Sequence, residues 1–83
     1  MPLALGYANA GIDEPHFHAE MHEIYLVVQG QSTAVVDGRA VLLETGSVLV
    51  VEPGEVHTFV ASTPDYYHFV IQVPVVEGDK HLP

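Results

Sequence analysis

The chain has no cysteine and no tryptophan, and among its 83 residues only Arg39 and Lys80 carry a positive side chain. Without cysteine there are no disulfides, no thiolate metal ligands and no thiol nucleophile, and the redox compartment stays open. Without a basic footprint there is nothing to displace phosphate counterions, which excludes nucleic acid and an anionic membrane surface as partners. Eleven Asp and Glu give a formal net charge of −9. That excess disfavours highly phosphorylated substrates and reads first as solubility through self-repulsion. No apolar run approaches the roughly 20 residues of a transmembrane helix. The start, Met1-Pro2-Leu3-Ala4-Leu5, lacks the basic and sustained apolar stretches of a signal peptide, so a cytoplasmic location is expected.

Eighty-three residues make one small domain, able to bury only about 60–65% of its unfolded surface. Domains of this size need disulfides, a metal or a partner subunit, and here the metal and the partner remain. A hydrophobic content of 48% favours a buried subunit interface, and a homodimer is expected.

What the chain does have is a succession of short strand signals. Ile24 to Val28 is a β-branched and aromatic run ended by Gln29-Gly30. Ser32 to Val36 leads into Asp37-Gly38, a strong hairpin signal, and Arg39 to Leu43 returns from it. Ser47 to Val51, His57 to Ala61 and Tyr66 to Val73 follow, separated by Pro53-Gly54 and Ser62-Thr63-Pro64-Asp65. Leu3, Leu5 and Tyr7 suit an edge strand, and residues 77–83 read as a frayed polar tail. No segment carries apolar residues at helical spacing. An all-β sandwich or barrel without a substantial helix is the expected class.

Against this background stands a set of metal-ligating residues: His16, His18, Glu23 and, behind Pro53-Gly54, His57. Residues two apart on a strand point to the same face, so His16 and His18 can reach one ion. Glu23 and His57 complete the set if the sheet closes on itself. Imidazole suits Fe, Ni, Cu and Zn, and one carboxylate adds hard-oxygen character.

These residues carry a resemblance to the cupin superfamily. Gly11-x4-His16-x-His18-x4-Glu23-x6-Gly30 is similar to the first cupin motif, with one residue fewer after the first glycine, and Gly46-x7-Gly54-x2-His57 is similar to the second. Glu52 and Ala61 stand where that motif has proline and asparagine. The resemblance spans residues 11–61 and implies a small jelly-roll β-barrel over residues 1–83. It also implies a divalent transition metal held by His16, His18, Glu23 and His57, with Fe or Mn first and Ni, Cu or Zn next. Related proteins include dioxygenases, isomerases, decarboxylases and lyases.

By strand parity Tyr25 and Val27 share the face of Glu23, and Phe59 that of His57, so all three are expected to line a substrate pocket. Ile24, Leu26 and Val28 face another layer or a partner. On the last strand Tyr67, Phe69, Ile71 and Val73 are expected as core. His68 and Gln72 either face solvent or supply the polar lining of a cavity opposite the metal, and we count His68 with the pocket. His22 is expected at the surface, or at the pocket mouth as a proton shuttle if residues 19–21 form a loop. Asp13 and Glu14 are expected in a solvated turn, with the entrance rim as the alternative, and His81 is given no role. No serine sits in a nucleophile-elbow context, and no phosphate-cradling glycine loop or dinucleotide fingerprint is present.

The function expected is a metalloenzyme acting on a small neutral or enolisable organic molecule, with an oxygen-dependent, dioxygenase-type reaction first. The alternatives are a non-oxidative isomerase or lyase at the same site, a non-catalytic ligand-binding or sensor module, and a purely structural metal.

Overall fold

A computed structural model describes residues 1–83 as seven antiparallel strands and no helix. They are β1 (Ala4–Ala8), β2 (His22–Gln29), β3 (Ser32–Val36), β4 (Arg39–Leu43), β5 (Val48–Val51), β6 (His57–Ser62) and β7 (Tyr67–Val73). One sheet has the order β1-β7-β2-β5 and the other β4-β3-β6. The turn between β3 and β4 holds Asp37 at φ 48° and Gly38 at φ 80°, the paired positive values that match a hairpin to the twist of its strands. No helix is long and apolar enough to cross a membrane.

The two sheets face each other across a core of Tyr25 and Val27 from β2, Ala34 from β3, Leu43 from β4, Val51 from β5, Phe59 from β6 and Tyr66 just before β7. This is a jelly-roll arrangement of two opposed sheets. Hydrogen bonding does not run continuously round a closed barrel. Gly11 sets one contact across the sandwich: a Cβ there would stand 2.1 Å from Phe59 Cγ, closer than any real carbon contact. Any larger residue would have to displace a ring that is itself buried.

Two expectations are corrected. The first concerns the faces of β7. Its register against β2 pairs Glu23 with Gln72, Tyr25 with Val70 and Val27 with His68, and directly opposed residues share a face. The inner face is therefore Gln72, Val70 and His68, and Phe69 and Ile71 lie outward. There they join Leu5, Ile24, Leu26 and Val48 around a wholly apolar groove. Hydrophobicity alone picked the wrong face because the inner face carries the polar groups of the site.

The second correction concerns residues 77–83. They do not fray: Asp79 is buried, and the backbone of His81 exchanges two hydrogen bonds of 2.9 Å with that of Phe17. The tail has long-range partners, which a local reading of Glu77-Gly78-Asp79-Lys80 cannot reveal.

Candidate metal centre

His16 and His18 lie on the extended segment entering β2, Glu23 on β2 and His57 at the start of β6, and all four are buried. The backbones of His16 and His57 bond to each other in both directions, at 3.1 and 2.9 Å. That bridge draws the two halves of the sequence motif together at one end of the sandwich. The four candidate donor atoms lie within 4.8 Å of one another.

Main-chain carbonyls fix the orientation of each ring. Nδ1 of His16 donates to the Glu14 carbonyl at 2.7 Å, that of His18 to the Asp79 carbonyl at 2.7 Å and that of His57 to the Glu55 carbonyl at 3.0 Å. A carbonyl oxygen only accepts, so the ring proton sits on Nδ1 and Nε2 keeps its lone pair. Such outer contacts are the usual means of setting the tautomer of a ligating histidine.

The consequence appears at Glu23. Its Oε1 is 3.0 Å from His18 Nε2 and 2.9 Å from His57 Nε2. With neutral rings, lone pairs would oppose one another on both sides of a buried carboxylate. A positive charge resolves the conflict, either as a proton on an imidazole or as a metal ion among the three nitrogens and the carboxylate. The donor set thus fits a divalent transition metal. Two neutral donors hold the carboxylate in place: Tyr25 Oη donates to Oε1 at 2.9 Å and Gln72 Nε2 donates to Oε2 at 2.9 Å.

Without an ion, the charges adjust in the same sense. Burial alone would raise the Glu23 pKa, but hydrogen bonds from His57, Gln72 and Tyr25 and the charge of His18 pull it down to about 2. Burial would lower the His57 pKa, yet its bond to Glu23 and its bond to the Glu55 carbonyl raise it above 6.5. His16 moves the other way: burial lowers it, the Glu14 carbonyl partly offsets this, and the neighbouring histidines lower it further. Tyr25 is raised by burial and by the adjacent carboxylate, so its phenol stays protonated.

Above the cluster opens a cleft of about 660 Å³, ample for a small organic molecule. Ile12, Met21, Tyr25 and Gln72 line it together with His16, His18 and Glu23, and residues 75–80 form the opposite wall. Lys80 pairs at that rim with Glu14 over 3.1 Å, both half exposed.

Of the residues assigned to the pocket from sequence, Tyr25 lines the cleft, whereas Val27, Phe59 and His68 lie deeper, in the layer beneath it. His68 packs among Tyr25, Phe59 and Tyr66, and the Tyr66 hydroxyl bonds its Nδ1 at 2.6 Å. Burial lowers the His68 pKa. His22 points outward and is exposed. Asp79 carries contacts that the sequence reading missed. Its only signal is an aspartate following Gly78, and its partners in the His18–Met21 loop are 58 to 61 residues distant.

Residues 2–76 match the family described as the AraC-like ligand binding domain. The chain belongs to this family. Its fold is of the cupin type, as comparison with solved structures also shows. A Streptomyces Pac13 variant with uridine is 20% identical, with a TM-score of 0.81 over 99% of this chain and 69% of its own. A cupin protein from Bacteroides fragilis is 26% identical, with a TM-score of 0.65 over 92% and 69%. The DMSP lyase DddQ from Ruegeria pomeroyi is 22% identical, with a TM-score of 0.78 over 98% and 43%. No curated protein matches the chain. A cupin domain in this family offers a site for a small molecule, and its His16, His18, Glu23 and His57 cluster can bind a metal ion.

Proposed function

We propose that this cupin is a divalent-metal enzyme that acts on a small organic molecule by proton transfer, as in an elimination or isomerisation. The observation that carries this reading is the convergence of three carbonyl-locked imidazoles on Glu23, with His16, His18 and Glu23 lining an open cleft and His57 buried behind them. His16, His18, Glu23 and His57 would hold the ion, which would supply positive charge to polarise an oxygen of the bound molecule. Fe or Mn remains our first choice because of the carboxylate ligand, although raw affinity favours Cu and Zn.

The rest of the chemistry belongs to the chain. Tyr25 presents a protonated phenol at the cleft wall, 2.9 Å from the carboxylate, where it fixes Glu23 and can accept a hydrogen bond from a hydroxyl of the bound molecule. Gln72 holds the second oxygen of Glu23, so the carboxylate keeps its orientation as a molecule enters. Ile12, Met21, Val75 and Val76 give the cleft apolar surface for the carbon skeleton of a bound molecule. Support for proton transfer also comes from fold neighbours: Pac13 is described as a nucleoside dehydratase and DddQ as a DMSP lyase.

Two other readings have a specific basis. Oxygen-dependent oxidation remains open because four protein ligands do not fill a six-coordinate sphere. A non-catalytic ligand-binding role is favoured by the family description itself. One experiment separates them. The metal-free protein is loaded with Mn(II), Fe(II) or Zn(II) and incubated with a panel of small hydroxy-carbonyl compounds under nitrogen and under air. Product under both atmospheres is the expected result. Product only in air means oxidation, binding without turnover means a ligand-binding module, and failure to take up any metal overturns the proposal.

We also propose that the chain forms a homodimer through the outer face of the sheet β1-β7-β2-β5. Leu5, Leu26 and Val48 are exposed there beside the partly covered Ile24, Phe69 and Ile71. Light scattering should give twice the chain mass, and Leu26→Lys should give a monomer. A monomeric parent protein would refute the assignment.

A further inference from the structure

Residues 77–80 line the cleft beside the candidate centre, and this segment hydrogen-bonds one of its ligands, His18. The carbonyl of Asp79 accepts the Nδ1 proton of His18 at 2.7 Å. His16 and His57 take their equivalent bonds from Glu14 and Glu55, each two residues away in the chain, so local geometry places those acceptors. His18 alone depends on a carbonyl 61 residues distant.

That distant carbonyl is held by the side chain of the same residue. Asp79 Oδ1 accepts from Ala19 N at 2.9 Å, and Oδ2 accepts from Glu20 N at 2.9 Å and Met21 N at 3.0 Å. Three consecutive amides immediately after His18 thus converge on one buried carboxylate. His81 Nε2 lies 3.1 Å from Oδ1, and the backbone of His81 pairs with that of Phe17, the residue before His18. His18 is therefore held from both sides along the chain and at Nδ1 of its ring.

We infer that Asp79 is a positioning residue for the metal centre: its carboxylate anchors the 77–81 strap to the His18–Met21 loop so that its carbonyl can lock His18 with Nε2 facing the ion. The strap supplies all four of these contacts, one to the His18 ring and three to the amides between His18 and β2. It does so without contributing a ligand. Because residues 75–80 also form one wall of the cleft, release of the strap would open the site and free the His18 ring together.

The inference rests on the metal-binding reading above, and its test uses a readout that does not need the metal. In the metal-free protein, nitrogen-detected NMR of the imidazoles reports which nitrogen of His18 carries the proton. The parent protein should show His18 protonated at Nδ1 with slowly exchanging amides at Ala19, Glu20 and Met21. Asp79→Ala should mix the His18 tautomers and expose those amides, leaving the tautomers of His16 and His57 unchanged. In parallel, Co(II) affinity measured by chelator competition should fall about 10–100-fold in Asp79→Ala, the range typical for loss of an outer contact to a metal ligand. Asp79→Asn keeps one acceptor oxygen and should fall between parent and Asp79→Ala in both readouts, which preserves the test if Asp79→Ala does not fold. An unchanged His18 tautomer in the folded variants, or Co(II) affinity within twofold of the parent, would overturn the inference. A parent protein that binds no Co(II) but shows the locked His18 would sink the proposed function and leave the strap standing.

Discussion

In the metal-free protein, stability should peak on the acid side of neutrality, and Glu23→Gln should remove that peak. The Glu23 pKa falls from 4.5 to about 2 on folding, a difference worth about 3 kcal/mol at 1.36 kcal/mol per unit. A depressed carboxylate contributes stability above its unfolded pKa and loses it as the pH falls towards the folded value. The acid limb therefore runs from about pH 4.5 down to about pH 2. The principal cationic partner is His57, whose pKa is raised above 6.5. A raised imidazole contributes fully below pH 6.5 and loses its contribution as the pH rises through the folded value. Both limbs describe one interaction, so the figure is counted once, and it is a large part of the roughly 5–15 kcal/mol that holds a domain folded. His16 and His68 have lowered pKa values and give the opposite slope below pH 6.5, so the parent curve alone is a composite. The difference between parent and Glu23→Gln cancels much of that background. Urea denaturation in EDTA at half-unit steps from pH 3 to 9 should give a difference curve with a plateau near pH 4.5–6.5 and a decline on either side. Added Zn(II) should restore the alkaline limb, because the ion takes the place of the imidazole proton. A difference curve that is flat, or that climbs from pH 6 to 9 in EDTA, would refute the reasoning.

Other consequences can be checked with the same denaturation assay. Gly11→Ala brings a carbon to 2.1 Å from Phe59 Cγ and should cost about 1–3 kcal/mol, the usual range for overpacking. No loss in urea midpoint would show that the Phe59 ring can yield. Tyr66→Phe removes the hydroxyl that bonds buried His68 at 2.6 Å and should cost about 1–3 kcal/mol; because that pair lies beneath the cleft, the metal dissociation constant should not change. Free Zn(II) at a hundredfold excess over its dissociation constant should stabilise the protein by about 2.7 kcal/mol. A stability unaffected by metal would mean that the ion does not prefer the folded chain.

Local signals carried most of the strand plan. Asp37-Gly38 marks a hairpin because both residues tolerate positive φ, and the β-branched and apolar runs on either side of it form the paired strands. His16, His18, Glu23 and His57 were legible as a group because their spacing is regular and cysteine offers no competing ligands. What escaped was set by long-range pairing. The inner face of β7 is decided by its register with β2, and the more apolar face with Phe69 and Ile71 read as core although it lies outward. Asp79 was hidden more completely, since its acidic, glycine-flanked surroundings read as a loose end and its partners lie on the far side of the chain.

The central claim is that His16, His18, Glu23 and His57 together hold one metal ion. Elemental analysis of untagged protein after metal loading and desalting tests it most directly, with His57→Ala and the outward-facing His22→Ala in parallel. About one metal per chain is expected in the parent and in His22→Ala, and loss of most of it in His57→Ala with the β-rich fold retained. Full metal in His57→Ala, or none in the parent, would contradict it.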